Sequence, residues 1–471
     1  MLRSHQMILT LLLSGFVTTT EAQNNQPVVH QLSAEQAVAM ALKQRTEILN
    51  AQINVKNQES FNREIKGQLY PQLAATFGVN RQFAVPVTVL PDFISPSVYT
   101  VLENEDVRNA SGDPIKFSGV VNTFPARFGV PWQAQLGVSV RQNLFQPDVL
   151  IGLQARKSAI SLYQNQLKIS EDSVKLNVFN TYFGVLIAKK GLGFTQASAE
   201  RLEKLYQEQT ELYKNGFIEK LDLDKTKVNL NNIKTTLIRL NNLVTLSYAG
   251  LKFALALPQQ DSLLLTDSLT NNWIQNDLLA LENEFKYEQR NEIKALEVSG
   301  DLLELQVKRY KWQAFPSIEA LWNVGTSAQR QKFDFFDSRG NWFYSNVLGV
   351  NLSVPLIDAN QRRERVKQAQ YALQKNKNTS NQLRQLIDLQ VINARTTITN
   401  AIASLNSQEE NRELAEKVYN TTRIKYQEGL GSSFEVLQSE TDLQVALNNY
   451  YQALYDAGIA RIAYLQALGK L

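Results

Sequence analysis

Two periodicities alternate along the chain, and each predicts a different element. Val436, Glu440, Leu443, Leu447, Tyr450, Leu454, Ala457, Arg461, Tyr464 and Leu468 step by four and three residues in turn, and eight of the ten are apolar. Leu230, Ile233, Leu237, Leu240, Val244, Ser247 and Leu251 do the same. This is a 3.5-residue seam, the pattern of helices packed lengthwise. Four shorter segments alternate every second residue instead. In 72–83, Leu73, Ala75, Phe77 and Val79 oppose Gln72, Thr76 and Asn80. In 134–143, Leu136, Val138 and Val140 oppose Gln135, Ser139 and Arg141. In 317–326, Ile318, Ala320, Trp322 and Val324 oppose Ser317, Glu319 and Asn323. In 346–355, Leu348, Val350, Leu352 and Val354 oppose Asn346, Asn351 and Ser353. Segments of this length, apolar on one face, fit transmembrane strands. They also fit a half-buried antiparallel sheet.

Proline placement separates the two patterns. All 12 prolines avoid 148–257 and 356–471. Proline disrupts helix interiors, so these stretches admit very long helices. Residues 360–428 alone would extend to roughly 100 Å at 1.5 Å per residue. Six prolines fall within 84–132, which reads as a long loop. The order helix, Pro, strand, loop, strand, long helix, tip, helix then runs twice. Gln68-Leu69-Tyr70-Pro71-Gln72-Leu73 answers Gln313-Ala314-Phe315-Pro316-Ser317-Ile318, and Asn143-Leu144-Phe145 answers Pro355-Leu356-Ile357. Tyr213-Lys214-Asn215-Gly216 answers Tyr426-Gln427-Glu428-Gly429, 213 residues later, and Leu255-Ala256 answers Leu468-Gly469 at the same offset. Ordered landmarks of this kind indicate an internal duplication. The expected organisation is a first repeat over 23–258, a polar linker at 259–278 and a second repeat over 279–471.

Composition narrows the chemistry. The chain of 471 residues holds no cysteine and two histidines, His5 and His30. Disulfides, zinc–thiolate sites and cysteine nucleophiles are excluded, and a histidine-based metal centre or Ser-His-Asp triad is nearly so. Lys+Arg at 49 against Asp+Glu at 45 leaves +4, a surplus too small to argue for nucleic acid. Residues 1–22 read as a secretory signal: Arg3, then the apolar stretch Met7 to Val17, then Thr20-Glu21-Ala22 as a cleavage site. A short N-terminal helix of a cytosolic protein is the alternative. No other segment could be a transmembrane helix, so residence in a membrane would require a β-barrel. Four strands cannot close one, since barrels need about eight. Two chains would give an eight-stranded barrel and three a 12-stranded one with room for a lumen. No cofactor is expected, and no enzyme. A non-transport coiled-coil envelope scaffold or adhesin, or a carboxylate-based hydrolase, are the competing readings. The strands argue against the first. No acid pair stands out for the second.

The duplicated strand–helix joints (Tyr70-Pro71, Phe315-Pro316, Asn143-Leu144-Phe145, Pro355-Leu356-Ile357) and the two tips with their sequels, Leu221-Asp222-Leu223 and Phe434-Glu435-Val436-Leu437-Gln438, resemble the TolC family of outer-membrane efflux and secretion channels. The resemblance covers nearly the whole chain after the signal. It implies an α+β membrane protein: a homotrimer whose 12-stranded outer-membrane β-barrel, four strands per chain, continues as a periplasmic α-helical coiled-coil barrel. It also implies a passive export conduit reaching into the periplasm. A periplasmic adaptor and an inner-membrane transporter of RND or ABC type would deliver its substrates.

The expected sites are a gate, hinges and anchors. Gly216 and Gly429 are placed to take the left-handed conformation that ends a helix, with Lys425 at the carbonyl end. Ser432 to Glu435 spells a capping box. The resemblance instead makes Glu435 an acidic gate residue, joined by Asp222 of the first repeat; a carboxylate ring would favour cations. Tyr426 matches a tyrosine that holds the tips shut, and Gln438 stands where some members carry a second acid. Gly431 replaces an arginine of that lock. Pro71, Pro316 and Pro355 mark strand–helix joints. Trp132, Trp322 and Trp342 are candidate lipid-interface aromatics. The loop 84–132 should face outside the cell.

Overall fold

The computed structural model describes residues 28–117, 119, 123–127, 129–268, 285–337 and 340–471. The expected signal 1–22 and the second half of the expected linker lie outside these. Eight helices are described: α1 (Ala34–Gln44), α2 (Thr46–Gly67), α3 (Ile94–Asn104), α4 (Pro147–Lys214), α5 (Lys220–Ala254), α6 (Asn291–Trp312), α7 (Gln361–Gln427) and α8 (Ser433–Ala467). The strands are β1 (Val29–Leu32), β2 (Gln72–Arg81), β3 (Val87–Pro91), β4 (Thr123–Arg127), β5 (Trp132–Phe145), β6 (Ser262–Leu265), β7 (Ser317–Arg330) and β8 (Phe343–Ser353). The two proline-free stretches yield α4 and α7, of 68 and 67 residues. No described helix is long and apolar enough to cross a membrane. The chain forms two compact units: residues up to Asn54 with Tyr163–Ala295 and Ser380–Leu471, and Val55–Leu162 with Leu296–Thr379.

The second unit holds an antiparallel sheet in the order β2-β5-β7-β8. Its register puts Leu73, Val140, Trp322 and Leu348 in one row. Phe77, Leu136, Thr326 and Tyr344 form another row on the same face. That face is uncovered: Phe77 is 69% exposed and Leu348 78%. The opposite face carries Gln72 beside Arg141, and Asn143 beside Glu319 beside Asn351. There Gly325 lies against the Gly137 backbone so closely that a Cβ would come within 2.9 Å of the Leu136 carbonyl. Asn346 is a correction to the alternation. It shares the face of Leu348, and the Trp322 indole satisfies it, Nε1 donating to Oδ1 at 2.8 Å. The outer strands β2 and β8 each have an unpaired edge.

The helical segments of this unit follow the same order. Asn62 on α2 donates to the Arg156 carbonyl on α4 at 3.0 Å. Asp148 on α4 accepts from Arg309 at 3.1 Å and from Gln313 at 3.2 Å, both at the end of α6. Asn376 on α7 donates to the Leu296 carbonyl on α6 at 3.4 Å. So α2, α4, α6 and α7 succeed one another as β2, β5, β7 and β8 do. The loop 84–132 is more structured than expected. It contains the antiparallel β3–β4 pair and, between the two strands in sequence, α3, whose apolar Ile94, Val98 and Val101 are all at least half exposed.

The first unit packs helices along the expected seams. None of the ten α8 seam positions is exposed, and Leu454, Ala457, Tyr464 and Leu468 are fully buried. A second core gathers α1, α4 and α5 around Tyr182, whose hydroxyl donates to the Leu32 carbonyl at 3.0 Å. Burial pushes that phenol up to about 12. The strand pair β1–β6 is parallel and flanks this core, so 262–265 of the expected polar linker is a strand. His30 serves this pair, with Nε2 3.1 Å from Asp261 Oδ2. Ser33 and Gln36 form a reciprocal capping box on α1, and Asp267 accepts the Ala34 amide at 2.7 Å.

Candidate functional site

The two helical tips of the first unit are built by the same turn. Gly216 has φ 77° and Gly429 φ 73°. Phe217 N–H donates to the Leu212 carbonyl and Gly216 N–H to Tyr213; Leu430 N–H donates to Lys425 and Gly429 N–H to Tyr426. Each is a Schellman motif, which ends a helix by satisfying its last carbonyls through a left-handed residue. The far ends of α5 and α8 use the motif again, around Ala256 and Gly469. Ala256 is the odd member, since a Cβ is strained at its φ of 55°.

After the second tip, Ser432 caps α8, its Oγ accepting from the Glu435 amide at 3.3 Å. The box is half formed. Glu435 is exposed, and no described hydrogen bond or ion pair uses its carboxylate. A Cβ on Gly431 would lie 3.5 Å from Glu435 Oε2 and 3.3 Å from the Tyr426 amide nitrogen. Gln438 does not join Glu435; its Nε2 donates to Asp442 at 2.9 Å, one turn on. Asp222, in the first turn of α5, stands 3.6 Å from Lys225, whose Nζ lies 5.9 Å from the Phe434 ring. Lys225 thus joins the first tip's sequel to the second's.

Tyr426 packs against the tip core made by Leu202 and Leu205 of α4, Leu230 and Ile233 of α5, Tyr419 of α7 and Val436 and Leu437 of α8. Burial pushes its phenol up, the charges of Glu208 and Asp222 add to this, and Gln209 opposes it. Gln209 is fully buried, and neither its amide nor the Tyr426 hydroxyl meets hydrogen-bond geometry with any partner. The structure therefore brings Tyr426 near Asp222 and Gln209, and leaves Glu435 and Gln438 apart on the surface.

One cluster here was missed by sequence reasoning. Glu440 is only 2% exposed. Arg201 of α4 binds it in bidentate fashion, Nη2 to Oε1 at 2.6 Å and Nε to Oε2 at 2.8 Å. Ser198 also donates to it. The Arg201 guanidinium lies 5.4 Å from the Tyr419 ring. Burial pulls that guanidinium down, but Glu440 more than offsets this and the net direction is up. The signal was present: Glu440 is the single acid in the ten-residue seam. Nothing in the sequence pointed to Arg201 as its partner.

The joints and anchors lie in the second unit. Tyr70 N–H donates to the Gly67 carbonyl just before Pro71, and Phe315 N–H to Trp312 just before Pro316. Pro355 stands two residues after the end of β8, and α7 begins after Asp358, which accepts the Arg362 amide at 3.1 Å. Trp132 stands at the far end of the sheet's apolar face, with Arg81 5.3 Å from its ring and Phe333 at 5.1 Å. Trp342 is 6.2 Å from Phe335 in the neighbouring loop. Trp322 instead lies within the strand, toward the joints. Among the described residues no cluster could hold a metal ion.

Residues 287–470 match the family described as outer membrane efflux protein. The outer membrane protein TolC of Salmonella enteritidis is 22% identical over 348 residues, spanning 72% of this chain and 70% of that protein. Two solved structures share the fold. The outer membrane protein VceC of Vibrio cholerae superposes with a TM-score of 0.67 at 15% identity, over 93% of this chain and 96% of its own. The CmeC outer membrane channel of Campylobacter jejuni gives 0.70 at 14% identity, over 93% and 85%. The chain thus carries the outer membrane efflux protein pattern over 287–470, is similar to TolC over most of its length, and shares the fold of VceC and CmeC.

Proposed function

We propose that the protein is the outer-membrane conduit of a tripartite export system. Three copies each contribute four strands to a 12-stranded barrel, and their helices continue it as a tunnel through the periplasm. The observation that carries this is the four-stranded sheet. It exposes one apolar face and has two unpaired edges, and an open edge cannot stand in lipid, where every backbone group needs a partner. Pairing β2 of one copy with β8 of the next removes both edges. The matching turns at the tips and joints support an internally duplicated chain, with repeats at 23–258 and 279–471. A periplasmic adaptor and an inner-membrane pump of RND or ABC type supply substrate and energy, since the conduit needs no cofactor or reaction of its own. The scaffold reading leaves the exposed apolar sheet without a purpose.

The closed end is assigned to the tips. Glu435, repeated three times around the axis, forms an acidic ring, with Asp222 widening it and Tyr426 holding the helices together. The test has two parts. Protein extracted from outer membranes should appear as a three-fold hollow particle; a monomer outside that fraction would end the reading. Tyr426→Phe with Glu435→Ala should raise bilayer conductance, and unchanged conductance would remove the gate.

A further inference from the structure

Positive charge is concentrated at one level of the second unit. Four chain segments, 60–71, 146–157, 305–316 and 354–367, flank the same end of the β2-β5-β7-β8 sheet. Together they hold eleven Lys/Arg and four Asp/Glu, a surplus of seven, whereas the whole chain carries a surplus of only four. The remainder of the chain is therefore slightly acidic.

Local structure accounts for part of this collar. Asp148 engages Arg309, Asp358 engages Arg362 and Glu364 engages Lys367. Lys66 and Lys311 sit in the last turns of α2 and α6, where the helix dipole favours cations. Yet Arg363 and Arg365 stand in the first turns of α7, where the dipole disfavours them. Arg63, Lys66, Lys157, Lys311, Arg363 and Arg365 are exposed, and among the described residues none has a carboxylate partner. Their neighbours at the joints are exposed and apolar or aromatic: Tyr70, Phe315, Leu356 and Ile357. An aromatic and apolar band edged by unpaired cations is the profile of a membrane–water interface.

We infer that this collar binds the phosphate headgroups of anionic phospholipids in the periplasmic leaflet of the outer membrane. The inference rests on the outer-membrane trimer proposed above. The apolar face of the sheet sets the depth of the hydrocarbon. The collar begins within a few residues of its lower border, at 1.5 Å per helical residue. Each long side chain can place its charge at headgroup level while its stem covers apolar surface.

The test uses the full trimer in detergent, stripped of lipid and titrated with phosphatidylglycerol or phosphatidylcholine, bound lipids being counted by native mass spectrometry. The wild type should retain phosphatidylglycerol preferentially, and high salt should abolish the preference. A variant with Lys66→Gln, Lys311→Gln, Arg363→Gln and Arg365→Gln should lose about tenfold in phosphatidylglycerol affinity and keep its trimer. Equal retention of the two lipids by the wild type, or an unchanged preference in the variant, overturns the inference. So does a variant that retains the lipid but dissociates, because the cations would then be pairing between copies. Loss of cation exclusion in bilayer recordings with lipid preference intact would place them in the lumen instead. A wild type that forms no trimer would sink the conduit reading itself.

Discussion

The Arg201–Glu440 pair gives the sharpest prediction for the tip core. Replacing Glu440 by Ala leaves a guanidinium facing a core of Leu202, Leu205 and Val436 with its partner gone. Breaking a buried pair costs about 3–5 kcal/mol. Arg201 keeps 27% of its side chain exposed against 3% for Glu440, so water can recover part of its solvation, and the low end, about 3 kcal/mol, applies. Native-state hydrogen exchange reads this locally, without reversible unfolding of the whole assembly. At about 1.4 kcal/mol per tenfold, amides of 437–447 in α8 should exchange about two orders of magnitude faster. Arg201→Ala should cost a similar amount, because it strands the more deeply buried carboxylate. The double variant should cost well under the sum, with a coupling of about 2 kcal/mol. An apolar swap, Arg201→Met with Glu440→Leu, should come out near neutral or stabilising. Additive single-variant effects, with a coupling below about 0.5 kcal/mol, would refute the claim that the pair ties α4 to α8.

Four further outcomes follow from single residues. Ala256→Gly should raise thermal stability by up to about 1 kcal/mol by relieving the left-handed strain at φ 55°, net of the extra freedom of the unfolded chain. A lower melting temperature would contradict this. Gly469→Ala should do the reverse, since its Cβ would meet the Gln289 carbonyl at 3.0 Å. The Tyr182 phenol, held up to about 12 against an ordinary 10.0, gives an alkaline signature. Between those values the unfolded chain has released the proton and the folded chain has not. Its contribution is therefore complete below pH 10 and falls by about 1.4 kcal/mol per unit up to about 12. Tyr182→Phe should flatten the stability profile there by one proton, and an identical slope in both proteins would refute it. Gly431→Arg should be tolerated and pair with Glu435, whose Oε2 lies 3.5 Å from the Cβ position. Reduced conductance, restored by adding Glu435→Gln, would be the readout.

The parts legible in the sequence were those whose periodicity is written by one long interface. The α8 seam could be read because its apolar positions enter successive cores to which α7 contributes along the helix, so the side turned inward stays the same. The four long strands could be read because an uncovered apolar face opposite a polar one forces strict alternation. Short elements carried no such signal. The strands β1 and β6 have four residues each and are joined by parallel pairing across more than 200 positions, so nothing local encodes them. The β3–β4 pair and helix α3 were hidden in a proline-rich stretch: Pro91 ends β3, Pro96 sits in the first turn of α3, and Pro125 lies at the centre of β4, a strand with an open edge, all positions where proline is tolerated. Asn346 was misplaced because its chemistry was weighed above its parity. Its partner, the Trp322 indole, comes from the adjacent strand and could not be seen in one segment.

Polar residues inside an apolar pattern are also where sequence and structure informed each other most. Asn346 on the apolar sheet face and Glu440 in the apolar seam break the same rule in two settings. Each is resolved by a partner from another element, Trp322 in one case and Arg201 with Ser198 in the other. The exposed apolar residues pose the converse problem. Leu348 and Leu352 on the sheet, and Ile238 and Leu246 on α5, are all more than 60% exposed in the single chain. They do not call for the same cover. The sheet residues form rows two residues apart along strands with open edges, a surface suited to lipid once the edges close. The α5 residues project from a helix that already buries Leu230, Ile233 and Leu251 in its own unit, so their side is suited to another helix. The proposed three-fold closure would cover both kinds of surface, the sheet by lipid and α5 by a helix of a neighbouring copy.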